Sequence, residues 1–402
     1  MNKRLNSVFL GSFILLMVVL LLPTFTTTYE LHAKSQPSIY NLDVLNDIKL
    51  NPNKYSNRAL FLKETDSIVE LAPLSVTDKK KTYAPNNHYY CSISRYAWPD
   101  TNNPLGPYVI KDGQSNPEYS DYDGEKLDEL AKRLQYLCVA YYITERSDYK
   151  RAAINQLKVW FIDKRTRMLP NFEYAQVQPG HNNNKGQSYG LVELSRFTKI
   201  VESVMLLDTA GGISRRERRR LKIWFDDFQA WLLKSKQWNY ISNSNNNNIT
   251  SSGYLALVEM SLFIDNLQVA NRLANEYKEK IIDAQIEEDG RQPAELRRTI
   301  GFGYSVENLK EIVDFCLVME NMGGHFYNDN QQRIDAAFSY LVQFVDNHKE
   351  FPYQQEAPWS LYEKRLQKNM KRLTRFSANE TRIRNLAGQI ELQDNSIMDL
   401  VY

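Results

Sequence analysis

From residue 124 onward the apolar side chains recur at helical spacing, and this constrains the fold more than any other feature of the chain. In EKLDELAKRLQYLCVAYYIT, Leu127, Leu130, Leu134, Leu137 and Cys138 fall on one face of a 3.6-residue helix. The pattern returns in AAINQLKVWFID, in YGLVELSRFTKIVESVMLLD, at 215–233 and in YLALVEMSLFIDNLQVANRLANEYKEKI, while alternating strand patterns are scarce. Helices of this kind bury their apolar stripes by pairing antiparallel across polar loops. The expected fold class is therefore all-α, a layered ring or incomplete (α/α) toroid of antiparallel helical hairpins. No short-period solenoid repeat accompanies the pattern.

Ahead of that region, residues 31–123 mix polar turns with short apolar runs and read as an N-terminal arm with one or two short helices and cleft-lining loops. Residues 124–402 form the helical domain. Residues 1–30 read as a signal peptide or N-terminal anchor: Lys3 and Arg4 precede an apolar stretch at 8–22, and a Thr-rich exit follows. That stretch is short for a membrane span and suits a signal-peptide core. Export to the periplasm or the medium is expected, with a membrane tether through an uncleaved segment as the alternative.

The chemistry to look for is bounded by charge and by scarce metal ligands. A net charge of +2 on 402 residues implies no nucleic-acid partner, so an acidic polymer would have to be attracted by a local cleft. The 25 Tyr and 6 Trp tilt mildly toward carbohydrate, whose pyranose faces pack on flat rings. Cys91, Cys138 and Cys316 have no metal-ligand spacing, and Cys138 fits a small core residue. His32, His88, His181, His325 and His348 lie far apart, so no metal is expected.

At 281–304, IIDAQIEEDGRQPAELRRTIGFGY, a helical pattern breaks at Asp289-Gly290 and then presents Glu295, Arg297, Arg298 and Tyr304. A guanidinium can neutralise a carboxylate by bidentate contact, which eases removal of the hydrogen on the adjacent carbon. A tyrosine whose pKa such a cation lowers can take that proton or protonate a leaving oxygen. A solvated arginine pair beside a core tyrosine would look the same at this level.

The order of residues goes further. Gln285-Ile286-x-x-Asp289-Gly290-x-x-Pro293-x-Glu295-Leu296-x-Arg298-Thr299, then Tyr304-Ser305 and Asn308-Leu309, resembles the alginate lyase superfamily of polysaccharide lyases. Upstream, Tyr96-x-Trp98-Pro99-Asp100, Pro107-Tyr108-Val109, Asp112-Gly113, Asn116-Pro117-Glu118 and Asn171-Phe172-Glu173-Tyr174-Ala175-Gln176 with Pro179-Gly180 follow in family order. The resemblance implies an α/α toroid, an acidic, uronate-containing polysaccharide as substrate, and β-elimination without a cofactor. It also implies roles for Tyr304 as base and acid, and for Arg298 with Asn247 or Asn248 at the substrate carboxylate. His181, Gln187, Trp98 and Tyr174 are the candidate substrate-binding residues.

Two departures stand out. The family's Asn-Asn-His falls in the loop with Asn245, Asn246, Asn247 and Asn248, and its histidine position lands on Asn248 or Ile249. Lys185-Gly186-Gln187 stands where relatives usually have Gly-Arg. A single tyrosine suffices when the proton and the leaving oxygen share one face of the sugar; opposite faces need a second base, for which His181 is the available histidine. Alongside the lyase, the sequence leaves open a catalytically inactive relative that binds acidic glycan, and a helical scaffold.

Overall fold

The computed structural model describes residues 29–30, 36–243, 247–375, 381–388 and 396–402. Two short helices, α1 (Leu42–Leu50) and α2 (Arg58–Val69), pack against the long α3 (Gly124–Thr144). There follow α4 (Ser147–Leu157), α5 (Leu194–Thr209), α6 (Arg215–Lys234), α7 (Lys236–Asn243), α8 (Asn248–Phe263) and α9 (Leu267–Tyr277). The chain continues through α10 (Pro293–Leu296), α11 (Gly301–Asn321), α12 (Phe326–Val342) and α13 (Trp359–Leu373). The apolar segment at 8–22 lies outside the described residues. Among those described, no helix is long and apolar enough to cross a membrane.

Helices α3, α5, α8, α11 and α13 pack side by side as an inner layer, and α4, α6, α9 and α12 lay one buried face against it. The inner position of α8 follows from its composition: every residue from Thr250 to Phe263 is buried, as a helix apolar all round requires. The expected all-α incomplete toroid is the architecture observed. Only two small strand pairs interrupt it among the described residues. Strand β1 (Cys91–Ile93) runs parallel to β4 (Tyr174–Val177) with Cys91 opposite Tyr174, and β2 (Ala97–Trp98) is antiparallel to β3 (Val109–Ile110).

Connections at the two ends of the ring differ in length, and that difference positions the site. Inner helices leave through short turns, each with a residue at positive φ: Glu145 after α3, Gly211 after α5, Asp265 after α8 and Gly323 after α11. The chain returns through long segments, 70–123, 158–193, 278–300 and 343–358, into α3, α5, α11 and α13. Polar loops therefore collect at the N-terminal end of the inner layer. Beneath them Phe161, Phe172, Phe197, Trp224, Phe225 and Phe228 pack in a cluster of edge-on, tilted and stacked rings, and the Trp224 indole donates to the Met168 carbonyl at 2.8 Å. Cys91, Cys138 and Cys316 are free thiols in the interior.

The ring interior also holds two carboxyls in one buried environment. Glu202 on α5 accepts the backbone N–H groups of Ser38 at 2.8 Å and Ile39 at 2.9 Å, fastening the N-terminal arm to the ring. Burial pushes Glu202 up to about 7, and burial with repulsion from Glu202 pushes Glu259 on α8 up as well. A proton shared between them accounts for the Glu259 oxygens, which otherwise have no partner among the described residues. A carboxyl whose folded pKa is raised stabilises the fold fully below its unfolded value, and that stability drains away as pH rises toward the folded value. Glu259→Gln is therefore expected to raise the melting temperature at pH 8, by on the order of 1–3 kcal/mol of stability, with little change near pH 4. Melting curves at the two pH values check this; an equal shift at both would contradict it.

Candidate active site

The loop entering α11 is shaped before it is functional. Gly290 has φ 90, and a Cβ there would stand 2.1 Å from the Ala336 carbonyl oxygen, so the turn closes only on glycine. Pro293 then opens α10, whose end places Arg298 and Thr299 ahead of α11. From α11, Tyr304 projects back to the same place. The Arg298 guanidinium lies over the Tyr304 ring, its carbon 4.1 Å from the ring centroid.

Both groups are held from the N-terminal arm. Asp112, just after β3, takes Arg298 in a bidentate grip, Nε to Oδ2 at 3.2 Å and Nη2 to Oδ1 at 3.0 Å, and Thr299 Oγ1 donates to Oδ2 at 3.1 Å. Burial works to raise the Asp112 pKa, but Arg298 and Thr299 outweigh it and hold the carboxyl below its usual range. The Tyr304 hydroxyl lies 3.2 Å from that of Tyr96. Burial first, and then Tyr96, push the phenol of Tyr304 well above its ordinary value, with Arg298 pulling the other way. This corrects the expectation that the cation lowers it: in the unliganded site the phenol keeps its proton, because desolvation of a phenolate outweighs a guanidinium already paired with Asp112.

Asn247 and Asn248 reach this cluster through Glu295. Asn247 caps α8, its Oδ1 accepting from the Ile249 N–H at 3.1 Å, and the Asn248 N–H donates to Glu295 Oε1 at 2.6 Å. Burial raises Glu295 to about 7 against the pull of that N–H, of Arg298 and of Arg297. The side-chain amide of Asn248 bonds to none of the described residues, whereas Ile249 packs on the hydrophobic core. Asn245 and Asn246 lie outside the described residues.

The remaining candidates are placed differently. His181 Nε2 lies 2.9 Å from the Tyr108 carbonyl oxygen, and the structure shows no contact from it to Arg298 or Tyr304. Trp98 donates its indole N–H to the Gln114 carbonyl at 2.8 Å, and the Lys111 ammonium stands 5.3 Å from its ring centroid. Tyr174 is only 8% exposed and packs edge-on against Tyr89 in a small cluster with Cys91, Tyr119 and Tyr122. Gln187 is half-buried, and its Nε2 has no hydrogen-bond partner among the described residues. Lys185 is engaged by Glu173 at 2.6 Å.

Tyr96 and Asp112 receive no role from the sequence reading, although both stand in its family-like segments; Tyr362 is likewise missed. The ring of Tyr362 abuts Gly303, where a Cβ would fall 2.7 Å from Cζ, so α13 closes this side of the cluster. Their signal was spatial: each lies far in sequence from the residue it touches.

The alginate lyase family model matches residues 75–351, which include all of these residues except Tyr362. The chain belongs to the alginate lyase family. Among solved structures, an alginate lyase from Bacteroides ovatus is similar with a TM-score of 0.84 and 28% identity, covering 91% of this chain and 97% of that one. Alginate lyase A1-III from Sphingomonas species A1 shares the fold, with a TM-score of 0.58 and 13% identity over 90% of this chain and 98% of that one. A variant of that lyase, solved in complex with a tetrasaccharide, superposes with a TM-score of 0.59 at 13% identity, covering 90% and 98% of the two chains. Comparison with curated protein sequences gives no match. As an alginate lyase family member the chain is a polysaccharide lyase, which cuts a uronate-containing polymer by β-elimination.

Proposed function

We propose that this chain cleaves alginate, with Tyr304 transferring the protons and Arg298 and Asn248 neutralising the substrate carboxylate. The observation that carries the reading is the Arg298 guanidinium lying 4.1 Å from the Tyr304 ring centroid, with the Asn248 backbone N–H bonded at 2.6 Å to Glu295 of the same loop. The step removes the proton on the carbon next to the carboxylate, forms a carbon–carbon double bond and breaks the bond to the glycosidic oxygen, which receives a proton. No oxidant or reductant is consumed. The carboxylate must lose its charge first, since the electrons of the broken C–H bond flow toward it, and fixed donors do this best in a site that excludes water.

A substrate carboxylate that takes Arg298 from Asp112 brings cation and phenol together with the reacting carbon. Tyr304 first gives up its phenol proton to solvent, a loss that the Arg298 cation favours; the phenolate then takes the proton from the carbon as base and, once a phenol again, passes it as acid to the leaving oxygen. One residue can do both only where proton and leaving oxygen share a ring face, as in mannuronate units of alginate; guluronate units place them on opposite faces. Support for a single-tyrosine route comes from Asn248, which can donate a hydrogen bond but cannot act as a base, and from His181, whose Nε2 sits against the Tyr108 carbonyl. Acting on an exported polysaccharide fits an N-terminal segment that sends the enzyme to the periplasm or the medium.

Purified protein incubated with mannuronate-rich alginate, guluronate-rich alginate and other acidic polysaccharides should yield the ultraviolet absorbance of an unsaturated uronate, fastest on mannuronate blocks. No absorbance on any of these would overturn the assignment. Faster release from guluronate blocks would overturn the single-tyrosine route. The family histidine supplies a further check. Asn248→His is expected to raise turnover on guluronate blocks by about tenfold or more, because it adds a base beside the carboxylate. Ile249→His should instead destabilise the fold, since Ile249 packs on the core; a gain of activity at 249 and none at 248 would reverse the register.

A further inference from the structure

The space among α3, α5, α11 and α13 forms a cavity of about 290 Å³, room for one sugar ring. Lys199, Lys310, Arg365, Lys368 and Arg372 line it, with Tyr402. Most of these cations are answered. Lys310 bonds Asp314 at 2.6 Å, Arg372 shares the same carboxylate at 2.5 Å, Arg365 pairs with Glu307, and Lys368 meets Asp399 at 3.2 Å. Lys199 has no hydrogen-bond or ion-pair partner among the described residues, although burial and the neighbouring Lys310 and Arg196 push its ammonium down to about 8. The Tyr402 hydroxyl, on a side chain 7% exposed, is also without a partner. A cavity with one carboxylate shared by two cations, an unpaired ammonium and a buried unpaired hydroxyl suits a ligand carrying one anionic group and several hydroxyls.

Its position links it to the reactive centre. Glu307 lies one helical turn beyond Tyr304 on α11, about 5 Å along the axis. The guanidinium of its partner Arg365 lies 5.3 Å from the ring centroid of Tyr362, the residue that abuts Gly303. We propose that this cavity is a subsite for one further uronate unit of the polysaccharide, its carboxylate held by Lys199 and shared by Lys368 with Asp399, and a ring hydroxyl held by Tyr402. The inference rests on the lyase reading for its substrate class and adds where the next acidic sugar sits.

Calorimetric titration separates the two ideas. In an Arg298→Ala background, where the reactive centre contributes little, monomeric mannuronate should bind, with glucose and inorganic sulfate at least tenfold weaker. Lys199→Met and, separately, Lys368→Met should each weaken mannuronate by about tenfold or more, and Lys199→Arg should restore most of it. Lys199→Met should melt no lower than its parent, because it removes an unpaired buried charge. Mannuronate binding unaffected by both substitutions would overturn the subsite, and sulfate binding as tightly as mannuronate would reduce it to a bare anion hole. Product formation that depends on Tyr304, with mannuronate binding indifferent to Lys199, would sink the subsite and leave the lyase standing. Binding that depends on Lys199 in a protein that forms no unsaturated product would do the reverse.

Discussion

Tyr304→Phe is expected to lower turnover on alginate by about 10³-fold or more while leaving oligosaccharide affinity within a fewfold of wild type. The size follows from asking one phenol to carry both proton transfers. Removing a group with a single transfer typically costs 10²–10⁴, and the other carboxyls at the site are engaged, Asp112 by Arg298 and Thr299 and Glu295 by the Asn248 N–H. The small effect on affinity follows from packing: the ring that supports the Arg298 guanidinium at 4.1 Å survives, and only the hydroxyl facing Tyr96 at 3.2 Å is lost. Tyr96→Phe separates proton transfer from positioning. It removes a hydroxyl that orients the phenol, so a loss of about tenfold is expected; because Tyr96 also holds the phenol's pKa up, the limb of the rate profile that rises with pH should move to lower pH. Initial rates by product absorbance and affinity by calorimetry check both. Turnover of the Tyr304→Phe protein near the wild-type rate would defeat the mechanism.

The helical layers were legible from the sequence because they rest on local periodicity. Leu127, Leu130 and Leu134 recur at helical spacing whatever lies across the ring, and the structure buries all three. Arg298 and Tyr304 could be picked out as a pair because they sit six residues apart around a helix start. What the sequence did not show is how the pair is held. Asp112 stands 186 residues before Arg298, and Tyr96 stands 208 before Tyr304. No spacing rule connects such distances; only the folding of the arm over the loop end of the ring does. The direction of the Tyr304 pKa was misjudged for the same reason, since burial and the pairing of Arg298 with Asp112 are tertiary facts. Tyr174 shows a further tertiary fact, since an aromatic residue in a family-like segment is 8% exposed and packs edge-on against Tyr89.

Arg298→Ala is expected to reduce kcat/KM by about 10²–10³-fold, and Asp112→Asn by much less, on the order of tenfold. The guanidinium would meet the substrate carboxylate in the ground state and bear on it harder as charge develops, so its removal should raise KM and lower kcat together. Asp112 acts only through Arg298 and Thr299, which it holds at 3.0–3.2 Å. In the free enzyme it keeps a half-buried cation in place, and on binding it competes with the substrate for the same donors. Asp112→Asn removes the competing charge yet can still accept a hydrogen bond, so looser positioning and weaker competition partly offset. KM should then change little, or even fall, while kcat drops. Asp112→Ala takes away the acceptor as well and leaves the guanidinium without its partner, so its loss should approach that of Arg298→Ala. The ordering Asn milder than Ala at 112, and Ala at 112 no worse than Ala at 298, is the signature of a positioning carboxylate. If Asp112→Asn instead costs as much as Arg298→Ala while Thr299→Val is silent, Asp112 itself touches the reacting sugar, and the assignment of the carboxylate-neutralising role to Arg298 falls.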